Sequence, residues 1–172
     1  MTSDPSGSAR ALPILAEAVQ FAPILTLASS FIVAGDVDLE RASTLFVVAA
    51  GEAILITGGL AALRQPLNPV LLGTNLWLLL GAVAFGIPVE PLAGLLGQIR
   101  AVGLFACALV VGGLLTTLSP RGYLGARLPE RRAVRRGSLV VLALTAVALA
   151  WSWVFVDDIR LGGGLPFIAL TV

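Results

Sequence analysis

The chain contains no histidine and no lysine, and only one cysteine and one methionine among its 172 residues; 12% of them are charged. Each scarcity argues against a class of chemistry. Without histidine, the commonest haem and metal ligand and the usual general base are both missing, so zinc or redox centres and catalytic triads are not expected. A single thiol, Cys107, cannot close an intramolecular disulfide, and its apolar neighbours suit a small buried hydrophobe. The serines are scattered, and Asp157-Asp158 is the only adjacent acidic pair, so neither a nucleophile with its base nor a paired-carboxylate motif can be named. A cation held by that pair is the weaker expectation beside plain solvation. No cofactor and no metal site is expected.

What fills the chain instead is apolar. Hydrophobic residues make up 58% of it and the mean hydropathy is +0.98, whereas a soluble domain carries roughly 25% charged residues. A domain of this size has too little interior to hide so much apolar surface from water, which places it in a lipid bilayer. The fold class expected is all-α: a polytopic integral membrane bundle of about five helices.

Residues 1–10 are polar and read as a disordered leader; residues 11–156 form the membrane domain and 157–172 a tail. Apolar runs mark spans near 12–34, 42–63, 70–87, 92–118 and 138–156. The first contains Glu17, Gln20 and Pro23 and is longer than the core of a signal peptide, so it is expected to be a retained helix kinked near Pro23. The fourth exceeds the roughly 20 residues that a perpendicular helix needs; either it tilts or its first turns lie in the interface. The last eight residues, Leu165 to Val172, would rise only about 12 Å and cannot cross alone, so the tail is expected at the interface or packed on the bundle, a truncated sixth helix being the alternative.

The orientation follows from the arginines. Arg121, Arg127, Arg131, Arg132, Arg135 and Arg136 face a single acid, Glu130, in the loop before the fifth span, and such a loop stays cytoplasmic. Counting back, Arg64 and Arg10 fall on the same side, and the turns holding Asp36, Asp38 and Glu40, Glu90, and Asp157 with Asp158 fall outside. The N-terminus is then cytoplasmic and the C-terminus external, in what the composition suggests is a bacterial inner membrane. Trp151 and Trp153 fit an outer aromatic belt. A possible internal duplication, Gly58-Gly59-Leu60 against Gly112-Gly113-Leu114, is too slight to carry an argument in a chain with 19 glycines.

Glu52 is the residue the membrane makes most expensive, because it sits deep in the second span. Ala49, Ala53, Thr57 and Ala61 form a small-residue ridge beside it, which points it toward the bundle interior. Arg100 is a partner at matching depth if the fourth span starts near 92; if it starts near 99, Arg100 snorkels at the boundary. Glu17 with Gln20, and Thr74 with Asn75, lie at comparable depths and could line a polar path together with Glu52 and Arg100, or serve as interhelical hydrogen-bond glue. Arg131, Arg132, Arg135 and Arg136 are candidate contacts for anionic headgroups or an acidic partner. One basic patch is too little for nucleic acid.

Two functions fit these residues. In the first, Glu52 serves as a proton- or cation-binding carboxylate in a transport or channel-like path through a homo-oligomer; against it stands a structural Glu52, protonated and bonded to a backbone carbonyl or ion-paired to fix helix register. In the second, the chain is a non-catalytic subunit or assembly factor whose helices pack on another membrane protein. An intramembrane enzyme is disfavoured by the missing motifs.

Overall fold

The computed structural model describes residues 15–34, 39–87, 90–123, 131–158 and 160–171. The leader at 1–10, the acidic positions 36 and 38, and positions 127 and 130 of the arginine-rich loop lie outside them. All described elements are helical: α1 (Ala22–Ala34), α2 (Leu39–Ala62), α3 (Pro69–Gly86), α4 (Glu90–Leu118), α5 (Arg131–Val154), a π turn (Arg160–Gly164) and α6 (Leu165–Thr171). Each helix from α1 to α5 packs on its successor, α1 also touches α3, and the chain after α5 folds back onto α5.

Four helices are long and apolar enough to cross a bilayer: Glu40–Ala62, Pro69–Gly86, Pro91–Leu118 and Arg131–Val154. Between 22% and 44% of each crossing window is buried, and the spans also carry large apolar side chains that no protein covers. Leu55, Leu118 and Val154 are each more than 70% exposed. In water such a surface would aggregate; in lipid it is the solvated face. The chain is thus a multi-pass membrane protein by the build of its helices.

The first apolar run is divided, and more sharply than a kink. Residues 15–19 are helical, Gln20 and Phe21 form a turn, and α1 starts at Ala22. Pro23 explains the position of the break: it has no N–H to give to the preceding turn and it disfavours helical geometry at the residue before it. The backbone there falls back on shorter bonds, Gln20 N to Glu17 O and Phe21 N to Ala18 O. The unbroken part, 13 residues, spans about 20 Å and does not reach across a bilayer by itself.

The connection from α2 to α3 is built from local rules. Arg64 takes a left-handed conformation (φ 55°), Gln65 N bonds Leu60 O and Arg64 N bonds Ala61 O, which together make a Schellman stop. Asn68 then caps α3: its backbone is extended, its side chain accepts from Val70 N at 3.0 Å, and Pro69 occupies the first helical position.

Small residues set the helix spacing. A Cβ on Gly73 would run into the Ala108 backbone, one on Gly103 into the Trp77 ring, and one on Gly81 into Phe46. These contacts fix α3 antiparallel to both α2 and α4. Ala49 and Ala53 of α2, Leu78 and Ala84 of α3, and Phe105 and Ala108 of α4 are essentially sealed.

Helix α4 breaks at Arg100, whose backbone (φ 39°, ψ −122°) is not helical. The part beyond it, residues 101–118, is about 27 Å long, enough to span. Helix α5 begins at Arg131, seven residues before the expected start of its span, so the arginines form its first turns. After α5, Asp158 accepts from Arg160 N and Leu161 N, Gly162 closes against the Phe155 carbonyl, and Phe167 and Leu170 of α6 reach the core. The tail is therefore packed on the bundle.

Candidate functional site: the intramembrane polar residues

Glu52 lies one residue from the midpoint of the Glu40–Ala62 span. Its helix turns Ala49 and Ala53 into the core and leaves Val48 and Leu55 exposed, so Glu52, half-buried, falls on the seam where α1 meets the outward face of α2. Its carboxylate accepts a hydrogen bond from the Thr26 hydroxyl of α1 at 2.9 Å. No basic side chain among the described residues pairs with it.

Arg100 is elsewhere. Its guanidinium lies 3.5 Å from the Asp157 carboxylate and also donates to the Asp157 carbonyl at 3.3 Å. Because Asp157 follows the end of α5, Arg100 sits at that end of the bundle and not at the depth of Glu52. Both side chains of the pair are open to solvent (50% and 93% exposed), and water screens the attraction. Asp158 is used in the turn that follows, so the adjacent acids have separate structural tasks.

Asn75 donates to the Thr57 hydroxyl at 2.9 Å across α3 and α2. The two line an open groove of about 320 Å³ with Ala53, Ile54, Gly58 and Leu76, whose walls are otherwise apolar. Thr74, fully buried, bonds back to Val70 O within its own helix. Glu17 is exposed on the turn before the break, while Gln20 turns inward. Among the described residues, Glu52, Arg100, Glu17 and Asn75 make no hydrogen bond or ion pair with one another.

Two residues gain specific structural roles. Gln20 is a latch: Nε2 donates to Ala16 O (2.9 Å) and Pro66 O (3.3 Å), and Oε1 accepts from Asn68 N (2.7 Å). It thereby ties the break before α1 to the turn before α3. The Pro-Leu-Asn-Pro run with its exposed backbone groups was the available signal, but nothing in it names the donor. Tyr123 is a plug between α4 and α5, 1% exposed, its ring seated on Gly112 and its hydroxyl approaching Thr145 without forming a full hydrogen bond. Gly122 in front of it holds a left-handed backbone (φ 58°) close to Ser138, where a side chain would not fit.

Charge is segregated along the bundle. Arg64, Arg121, Arg131, Arg132, Arg135 and Arg136 share the end where α2 and α4 finish, and Glu17 is the only acid there among the described residues. At the opposite end the acids Glu40, Glu90, Asp157 and Asp158 outnumber Arg41, Arg100 and Arg160. Comparison with protein families, with curated proteins and with solved structures returns no significant match. What the chain does is therefore argued from its own residues.

Proposed function

We propose that the chain is a membrane-embedded assembly subunit that joins another membrane protein through the outward face of α2 around Glu52. The partner contributes a mid-bilayer helix carrying a positive charge or a strong hydrogen-bond donor. The observation behind this is Glu52 itself. A charged carboxylate at the bilayer centre costs between about 2.5 and over 10 kcal/mol, and one hydroxyl bond to a charged group returns about 1.5–3 kcal/mol. Thr26 alone leaves most of that range uncovered, whereas a partner helix seated over Val48, Leu55 and Gly59 would bring the missing donor to the seam. Gly51 and Gly59 leave open space on this helix, which suits a close approach.

Five crossings, with the broken first segment inserted, the N-terminus cytoplasmic and the C-terminus external in a bacterial inner membrane, go with this proposal. The arginine-rich end supports that orientation.

A second reading, transport by a homo-oligomer in which Glu52 binds a proton or cation, draws on the same mid-span carboxylate. It requires other copies to supply the path, because the polar groups of one copy bond locally.

Site-specific photo-crosslinkers at Val48 and Leu55, with one at Leu144 on α5 as control, separate these readings in native membranes. The subunit reading expects a discrete adduct with a different protein from α2 positions and none from Leu144, and expects Glu52→Leu to abolish it. Adducts only between identical chains would replace it with the transport reading. Equal, diffuse labelling from all three positions would overturn both.

A further inference from the structure

We infer that the lipid-facing side of α5 is a binding site for an anionic phospholipid, its phosphate held by Arg131, Arg132, Arg135 and Arg136 and its acyl chain laid along the helix below them. Helix α5 starts at Arg131, so these side chains occupy two successive turns of regular helix. All four are exposed, while Val134 (5% exposed) and Ser138 (sealed) turn the other side of the same turns into the bundle. Positions 131 and 135, and 132 and 136, are each one turn apart and adjacent round the helix, so the four guanidiniums share one face.

The lower half of the site is the continuation of that face. Leu139 and Val140 lie one turn beyond Arg135 and Arg136, and Leu144 and Val147 extend the line; all four are more than half exposed. A row of guanidiniums passing without interruption into a row of uncovered aliphatic side chains matches a molecule with a phosphate at one end and a hydrocarbon chain at the other. Helical side chains lean toward the helix N-terminus, so the arginine heads reach up to phosphate level while their stems stay along the apolar surface.

The helix itself lacks a countercharge. Its first turn holds no acid, the arginines repel one another at one-turn spacing, and all of them crowd the positive end of the helix dipole. Among the described residues no carboxylate pairs with any of the four. A phosphate diester relieves each of these costs at once, and the planar guanidinium can grip two of its oxygens.

The test is lipid selectivity of the intact protein reconstituted in phosphatidylcholine bilayers containing spin-labelled phosphatidylglycerol or spin-labelled phosphatidylcholine. The motionally restricted fraction should favour phosphatidylglycerol by at least about fivefold, the worth of a single basic residue at an anionic surface. The preference should fall with added salt and approach unity in a variant carrying glutamine at all four positions. R160Q, at the opposite end of the bundle, should leave it intact. If the fourfold variant does not insert, the R135Q/R136Q pair should still lower the preference at unchanged helicity. No preference in the native protein would overturn the proposal and leave this face to an acidic protein segment. A preference unaffected by either arginine variant, or lost equally in R160Q, would also overturn it.

Discussion

Gly73→Ala is the substitution that interrogates the helix packing most sharply. The added Cβ would lie 2.9 Å from Ala108 N and 3.0 Å from Ala108 Cβ, where ordinary contact begins at 3.4 Å. The obstruction is backbone, nearest at Ala108 Cα, which no rotamer change can clear, so α3 and α4 must move apart. One turn away Trp77 lies over Gly103, so parting also loosens a buried aromatic of the core. Overpacking of this kind costs about 1–3 kcal/mol, and the better helix propensity of alanine offsets up to about 1 kcal/mol. A net loss of about 1–2 kcal/mol follows. Gly58→Ala is the matched control, since nothing lies within 4 Å of its added Cβ; it should be neutral or gain up to about 1 kcal/mol. Both are measured by reversible unfolding in mixed micelles over a series of dodecyl sulfate mole fractions. A Gly73→Ala protein as stable as wild type, or equal to Gly58→Ala, would refute the close antiparallel crossing of α3 and α4.

Gln20→Leu keeps the bulk but removes the three bonds to Ala16, Pro66 and Asn68; the same unfolding series should show a loss of about 1–3 kcal/mol. Arg64→Gly should stabilise by up to about 1 kcal/mol, because the Schellman stop needs a left-handed residue and glycine takes that conformation without strain. Arg100→Gln should move stability by less than about 1 kcal/mol, since its ion pair with Asp157 is open to solvent, and the small effect should vanish in high salt.

Much of the architecture is legible in the chain because lipid imposes a simple rule: long apolar runs become helices, and Pro and charge punctuate them. The spans near 42–63 and 70–87 lie within a few residues of α2 and α3, and Asn68-Pro69 is a helix start written in plain form. Breaks inside apolar runs are harder to read. Pro23 signals one, but whether it bends or ends the helix depends on Gln20 finding acceptors in a turn over forty residues away. The break at Arg100 has no proline or glycine at the position to announce it. Hydropathy marks only the apolar part of α5, because four arginines lower the average without interrupting the helix.

The polar residues show the same divide between depth and partner. Sequence position alone puts Glu52 at mid-span, since depth follows from rise per residue. Its partner does not follow: Thr26 comes from a neighbouring helix, and Arg100 is drawn to Asp157 by the packing of α4 on α5. Gly58 and Gly112, equivalent in the apparent repeat, meet open space and the Tyr123 ring respectively, so similar local sequence serves different packing.

Whether this bundle works in company is decided by extracting the tagged protein from its own host with native lipids and weighing the particle. This chain is expected in fixed stoichiometry with a different membrane protein, and released from that partner in Glu52→Leu. A particle holding one 17.7 kDa chain and lipid alone would contradict it.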